Sequence, residues 1–290
     1  MTDYLVKAMA YDANVRAFAV TAKDTVYEAL NRHGLNPVAA IALGRGLMAA
    51  AILNGMGKGD DIVTTLQING DGPMEGMVCV ADRKGTLKGY IKNNDYESYG
   101  ENGIFGVGAC IGRGYLNIIK DLGMKEPYAG TIPLQSGEIG DDLAYYFTYS
   151  EQIPSMVALG VKLNSDATVR QAAGVIIQMM PGATEEIITE VESRITEMKS
   201  ATSLIERVKT PEAMLEFILG KENIVFTGTE PVSYQCNCSE EKMFKGVISL
   251  GRKELTEIVE EQDTVETVCH FCNNKYIFTA EQLKKFIKDI

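Results

Sequence analysis

Residues 234–242 read YQCNCSEEK and residues 268–276 read VCHFCNNKY, so two close cysteine pairs stand near the end of a 290-residue chain. One residue separates Cys236 from Cys238, and two separate Cys269 from Cys272. Four thiolates complete a tetrahedral zinc site, and two such pairs brought together by folding supply them. The pattern predicts a four-cysteine zinc site holding one zinc per chain. The CxC spacing is tighter than the usual two-residue spacing, and unrelated buried thiols or redox-active thiols are the alternative.

The cysteine pairs also predict what kind of unit residues 232–290 form. A unit of about 60 residues lies near the lower limit of unaided stability and usually needs a metal, disulfides or a partner surface. Its sequence predicts two helices, a hairpin formed by VETVC and KYIFT, and a last helix opened by a capping box from Thr279 to Gln282. We expect this C-terminal zinc-binding domain to unfold when the metal is removed.

The first 180 residues mix strand-like and helical patterns, which predicts an α+β fold with a large N-terminal sheet domain. The patterns include a buried helix from Pro37 to Asn54, a helix over 137–152, and a capping box at Thr25 to Glu28 that opens a helix. MMPGATEE at 179–186 ends the strand pattern, and a Glu-rich helical segment follows. We therefore predict three segments: the N-terminal domain over 1–180, a helical linker over 181–231, and the C-terminal domain over 232–290.

The predicted linker contains an amphipathic helix over 184–198. Its apolar residues recur near one face of a 3.6-residue helix. The helix over 184–198 is numbered α5 below, and we call this apolar set the α5 stripe: Ile187, Ile188, Val191, Ile195 and Met198.

Composition and charge argue against several classes of protein. The net charge is −11, and residues 231–290 carry ten acidic and eight basic residues, a net −2, so nucleic acid is not an expected partner. Asp3, Lys7 and Asp12 interrupt the region where a signal peptide needs an apolar run. The longest apolar run, 38–53, contains Arg45 and is shorter than the roughly 20 residues that span a bilayer. We expect a cytoplasmic protein without a membrane partner. Stable disulfides are rare in the cytoplasm.

The remaining chemistry-bearing residues receive structural interpretations. Cys79 and Cys110 lie in apolar or glycine-rich surroundings and are predicted to be buried structural thiols. His270 lies inside the CxxC, but four thiolates already complete the coordination shell, so we do not expect His270 to be a metal ligand. The chain has two histidines, so most hydrolase sites would lack their usual base. We do not expect an enzyme.

The sequence resembles the heat-shock protein 33 family of redox-regulated bacterial chaperones. The family signature is a CxC, about thirty residues, and a CxxC near the C-terminus. Further blocks that resemble the family are LGRGLMAAAIL at 43–53, the sequence over 65–93, the sequence over 137–161, and CHFCNNKYIF at 269–278. One departure is the run Ser239, Glu240, Glu241, Lys242, where many members carry an arginine-containing run. Its negative charge should disfavour free thiolate and slow oxidation.

The resemblance implies a zinc-bound, reduced and inactive form. It implies that oxidation forms the disulfides Cys236–Cys238 and Cys269–Cys272, releases zinc and activates ATP-independent binding of unfolding proteins. It also implies a homodimer in the active state. On this view the α5 stripe is the candidate client-binding surface, uncovered when the C-terminal domain unfolds and no longer covers the linker.

Two other functions are alternatives. A zinc-ribbon module that binds nucleic acid or a protein scaffold would need basic residues around the cysteines. A thiol-disulfide oxidoreductase would use Cys269 and Cys272, but a redox CxxC normally opens a helix in a βαβ unit, and here the pattern predicts a hairpin.

Overall fold

The computed structural model describes residues 2–57, 59, 61–100 and 103–289, and it divides the chain into two compact units. Unit 1 is Met1–Gln235 and unit 2 is Cys236–Ile290. Both combine helices with antiparallel strands, which confirms the predicted α+β class. The strands of unit 1 are β1 (Tyr4–Ala10), β2 (Val15–Thr21), β3 (Val63–Gly70), β4 (Gly76–Asp82), β5 (Thr86–Ile91), β6 (Tyr99–Gly100), β7 (Gly103–Ile104), β8 (Gly114–Asp121), β9 (Tyr128–Pro133), β10 (Ser155–Leu163), β11 (Val169–Met179), β12 (Ile224–Pro231) and β13 (Ser233–Tyr234).

Two larger sheets organise unit 1. The first is antiparallel with the order β10-β11-β2-β1-β12, and the second has the order β13-β5-β4-β3-β8-β9. In the second sheet only the β13–β5 pair is parallel. Because successive strand residues face opposite sides, Leu5 and Val20 join one core of unit 1 whereas Val6 and Ala19 join another. The first sheet therefore contributes to two hydrophobic cores.

The helices of unit 1 fill these two cores. They are α1 (Lys23–His33), α2 (Pro37–Met56), α3 (Val107–Ile111), α4 (Gly140–Tyr146) with a π-helical extension (Phe147–Glu151), α5 (Glu185–Met198), α6 (Ala201–Val208) and α7 (Pro211–Leu219). Helix α2 contacts strands of both larger sheets, whereas α6 and α7 contact the other face of the first sheet. The predicted buried helix from Pro37 is confirmed.

Helix α2 has 20 residues and so extends beyond the apolar run over 38–53. It is long and apolar enough, by length and composition, to cross a membrane, but 89% of its apolar 18-residue stretch is buried inside the protein, as in the core helix of a folded domain. Its apolar character follows from packing. A Cβ on Gly46 would lie 2.8 Å from both Cys79 Sγ and Met77 Sδ, so glycine permits the close approach of α2 to β4.

One predicted helix start was misplaced. Helix α1 begins at Lys23, two residues before the predicted capping residue Thr25. Thr25 is buried, and both its backbone N–H and its hydroxyl donate to Asp3 Oδ2, at 2.7 and 2.8 Å. The Ser/Thr-x-x-Glu pattern was present, but the threonine lies inside the helix and binds Asp3 near the N-terminus.

The loop before α4 is organised by a buried carboxylate. Asp142 is fully buried, and its Oδ1 accepts hydrogen bonds from the backbone N–H groups of Gln135 at 2.7 Å and Ser136 at 3.1 Å. Its Oδ2 accepts from the N–H of Ile139 at 3.1 Å. The neighbouring Asp141 is exposed and accepts from the Ser136 hydroxyl at 2.9 Å. The two adjacent aspartates therefore differ in burial and in the number of backbone N–H groups that they bind.

Asp142→Ala is expected to lower the free energy of unfolding by about 3 kcal/mol, because the backbone N–H groups of Gln135, Ser136 and Ile139 lose a charged acceptor. Denaturant unfolding of the full chain, followed by circular dichroism, measures the change. Asp141→Ala is the matched control and should cost less than about 1 kcal/mol. Equal losses for the two variants would show that the buried network does not stabilise this loop.

Unit 2 is small and has its own core. Its elements are α8 (Glu240–Ile248), α9 (Arg252–Glu261), β14 (Thr264–Val268), β15 (Lys275–Thr279) and α10 (Ala280–Asp289). The Thr279 N–H donates to Gln282 Oε1 at 2.8 Å, and the Gln282 N–H donates to Thr279 Oγ1 at 3.3 Å, so the predicted capping box is confirmed. The buried core consists of Val247, Leu255, Val259, Phe278, Ala280 and Leu283.

The three predicted segments differ from the two units in two places. The predicted linker holds α5, α6 and α7 but ends in strand β12, which pairs with β1. Residues 232–235 include β13, which pairs with β5 in unit 1. The division at 180 and 231 stays a prediction about how the chain behaves in parts.

Candidate metal centre

Local structure presents the four cysteines from two short segments. Cys236 and Cys238 lie in the extended segment before α8, and Cys269 and Cys272 lie in the turn between β14 and β15. In that turn the Cys269 carbonyl accepts from the N–H groups of Cys272 at 3.2 Å and Asn273 at 2.8 Å. The turn therefore points two thiols the same way, as a CxxC metal-binding turn requires.

The four thiols converge. All four Sγ atoms lie within 4.8 Å of one another, with 3.7 Å between Cys236 and Cys269 and 3.4 Å between Cys238 and Cys272. Zinc–sulfur bonds of about 2.3 Å in a tetrahedron place the sulfurs roughly 3.8 Å apart. Cys269 and Cys272 are buried, and Cys236 and Cys238 are half-buried. The donor set and its spacing fit a tetrahedral metal ion, so these residues can hold one.

Three of the four thiols differ in acidity. Burial raises the pKa of Cys236 and of Cys272. Burial also acts to raise the pKa of Cys238, but hydrogen bonds with Tyr276 and the neighbouring thiols outweigh it and lower the pKa to about 7. Cys238 is thus the thiol that is most easily ionised among these three. The expectation that the following acidic run disfavours thiolate and slows oxidation stays a prediction, because the lowering of the Cys238 pKa comes from hydrogen bonds and not from that run.

Comparison with known proteins gives the family. The family model described as "Hsp33 protein" matches residues 3–279. The chain belongs to the Hsp33 family. A 33 kDa chaperonin of Caldanaerobacter subterraneus subsp. tengcongensis is 44% identical over 291 residues, covering 100% of this chain and 99% of that protein. A 33 kDa chaperonin of Bacillus subtilis is 43% identical over 284 residues, covering 97% of each.

A solved structure agrees with the Hsp33 assignment. The crystal structure of the 33 kDa chaperonin (heat shock protein 33 homolog) from Thermotoga maritima matches with a TM-score of 0.92 and 35% identity, covering 100% of this chain and 99% of that chain. The predicted resemblance is confirmed. Hsp33 membership supports a chaperone function, and the names of these relatives indicate no enzymatic activity.

The other candidate residues of this Hsp33 chain lie where the sequence predicted. Cys79 and Cys110 are buried in unit 1, and burial raises the pKa of both thiols. Among the described residues, the group that can hold a metal contains the four cysteines and not His270, whose side chain is exposed. Cys269 and Cys272 occupy a hairpin turn, which is not the helix start of an oxidoreductase CxxC.

Sequence reasoning missed Tyr276, whose hydroxyl lies 3.0 Å from Cys238 Sγ. The hydrogen bond with Cys238 is the main cause that raises the pKa of Tyr276 to about 12. A tyrosine in a strand usually reads as packing, so spacing alone did not single it out. Its position four residues after Cys272, in the strand that leaves the metal-binding turn, was the available signal.

The α5 stripe packs inside unit 1. Val191 is fully buried and Met198 is 5% exposed, and Ile187, Ile188 and Ile195 are half-buried. All five belong to, or pack against, the core that contains Val6, Ala8 and other residues of the first sheet. Within unit 1 the first sheet and helices α6 and α7 cover the stripe. That the C-terminal domain adds to this cover stays a prediction.

Proposed function

We propose that this chain is a redox-regulated, ATP-independent holdase chaperone. In the reduced form Cys236, Cys238, Cys269 and Cys272 hold one zinc ion, and the protein does not bind clients. The observation that carries the proposal is the convergence of four thiols within 4.8 Å in a chain of a chaperone family. Zinc suits the site because it prefers four soft thiolates in a tetrahedron.

Unit 2 depends on that metal for its fold. Among the residues of unit 2 whose burial the structure describes, six form the buried core, which is little for a unit of this length. Structural zinc contributes about 10–16 kcal/mol to folding in zinc-finger peptides, comparable to the whole stability of a domain. Zinc, when bound, cross-links the segment before α8 to the hairpin turn. Loss of the ligands therefore unfolds unit 2.

Oxidation removes the ligands. A thiolate attacks a peroxide oxygen, which gives a sulfenic acid and leaves hydroxide or alkoxide. A neighbouring thiolate then attacks the sulfenic sulfur, a disulfide forms, and hydroxide leaves. Two equivalents of peroxide convert four cysteines into two disulfides. Following the family resemblance, we assign these as Cys236–Cys238 and Cys269–Cys272.

Clients bind the surfaces that linker helices cover in the reduced form. Release of α5, α6 and α7 from the first sheet exposes both the α5 stripe and the sheet face beneath it, including Val6, Ala8 and Ile177. Each apolar side chain uncovered offers about 1.5–3 kcal/mol for burial against a client. Unfolding proteins present apolar segments that fit such a surface without sequence specificity.

The cellular setting follows from the same proposal. We place the protein in the cytoplasm, where thiols stay reduced until oxidative stress. The active form is a homodimer, and its partners are unfolded or partly folded proteins. Nucleic acid and membranes are not partners, in keeping with the net charge of −11.

The test measures zinc and chaperone activity on the same samples. Reduced protein should hold one zinc per chain and leave a heat-unfolding enzyme to aggregate. After peroxide at raised temperature, a chromogenic chelator should detect released zinc, and aggregation should be suppressed without ATP. Equal suppression by the reduced, zinc-loaded protein would contradict redox regulation. Turnover in an insulin reduction assay would instead favour the oxidoreductase alternative.

A further inference from the structure

A tyrosine hydroxyl joins the two halves of the cysteine cluster. Tyr276 lies on β15, and its hydroxyl oxygen is 3.0 Å from Sγ of Cys238. Cys238 belongs to the segment before α8, whereas Tyr276 belongs to the hairpin that carries Cys269 and Cys272. The contact therefore crosses between the same two segments that the metal would cross-link.

The chemistry of a metal ligand gives this contact its direction. A cysteine that binds a metal does so as a thiolate, which carries no proton. The Tyr276 hydroxyl must then be the donor and the Cys238 sulfur the acceptor. Hydrogen bonds to ionised acceptors are about twice as strong as neutral ones. Such a bond withdraws charge from the sulfur and makes it a weaker nucleophile.

The rest of unit 2 holds the tyrosine in place. Tyr276 pairs with Thr267 across the hairpin, and its half-buried ring packs against the unit 2 core. Phe278, two residues further along β15 and on the same face, is 1% exposed. Strand pairing and packing against the core thus hold the ring of Tyr276, and with it the hydroxyl, beside the sulfur.

We propose that Tyr276 is a positioning residue of the metal centre, whose hydroxyl holds Cys238 for metal binding and protects its sulfur from electrophiles. This inference rests on the proposed zinc site. Partners that orient metal ligands typically contribute 10- to 100-fold to metal affinity. Cys238 as a residue is half-buried, whereas Cys269 and Cys272 are buried, so protection from reagents matters more at Cys238.

Tyr276→Phe removes the hydroxyl and keeps the ring that packs against the core. Zinc affinity is measured on the full chain by competition with a chelator, and it should fall about 10-fold. Tyr149→Phe is the matched control, because Tyr149 is an exposed tyrosine of unit 1. The zinc affinity of the Tyr149→Phe variant should equal that of the parent chain.

A second measurement separates positioning from general loosening. Zinc-loaded protein is treated with iodoacetamide, whose methylene carbon bonds to the thiolate sulfur while iodide leaves, and peptide mapping gives the rate at each cysteine. Tyr276→Phe should raise alkylation at Cys238 several-fold relative to Cys236, Cys269 and Cys272. Unchanged affinity with an unchanged pattern would overturn the inference, and so would an equal rise at all four cysteines. A parent chain that holds no zinc would overturn the proposed zinc site itself, together with this inference.

Discussion

Replacing Cys272 with serine is expected to abolish tight zinc binding and to unfold residues 236–290. Cys272 is buried and its Sγ lies 3.4 Å from that of Cys238, so the cluster loses an interior ligand. Because a zinc ion contributes about 10–16 kcal/mol to folding in zinc-finger peptides, we do not expect the small core of unit 2 to compensate for its loss. Zinc stoichiometry and the dispersion of amide NMR signals from unit 2 measure the two effects.

Cys110→Ala is the control for this variant. Cys110 is also a buried thiol, but it lies in unit 1 and outside the cluster. It should retain one zinc per chain and a folded unit 2. Full zinc affinity in Cys272→Ser would contradict the four-cysteine site, and a folded, zinc-free unit 2 would contradict its dependence on the metal.

Val191→Asp is expected to activate the reduced protein without oxidation. Val191 is fully buried in the core between α5 and the first sheet, and an unpartnered carboxylate there costs at least about 3 kcal/mol. Helix α5 should leave the sheet and expose the surface that we propose for clients. Suppression of aggregation by reduced, zinc-loaded protein measures the effect, and zinc content should stay at one per chain.

Ser193→Asp adds the same charge at an exposed position of the same helix and should leave the reduced protein inactive. Hydrogen exchange of α5 reports whether the helix has loosened in each variant. If α5 in Val191→Asp exchanges freely and the reduced protein still fails to bind clients, the client surface lies elsewhere in unit 1.

The elements with strong local signals were predicted well. Helix α2 was found from its apolar run after Pro37, and the hairpin of unit 2 from β-forming runs around the CxxC. The apolar period of α5 placed Val191 and Met198 on one face, and both are buried. Four cysteines in two pairs were sufficient to predict the cluster, because only a few geometries bring such pairs together.

Contacts between distant segments were not predictable from local patterns. Strand β12 lies in the segment that was predicted to be a helical linker. The strand was missed because most of its residues are exposed and because its pairing with β1 joins segments more than 200 residues apart. The same holds for the buried contact of Thr25 with Asp3, which displaced a predicted helix start. It also holds for the cover of the α5 stripe. An amphipathic pattern predicts that one face of a helix is buried, but it does not predict which elements bury it.

On the proposed function, the metal keeps unit 2 folded and its loss releases the linker helices from the first sheet. Hydrogen exchange measured by mass spectrometry compares reduced zinc-loaded protein with peroxide-treated protein. We expect oxidation to remove protection from unit 2 and from α5, α6 and α7, while β3 and β4 stay protected. Zinc release with α5, α6 and α7 protected as before would contradict it.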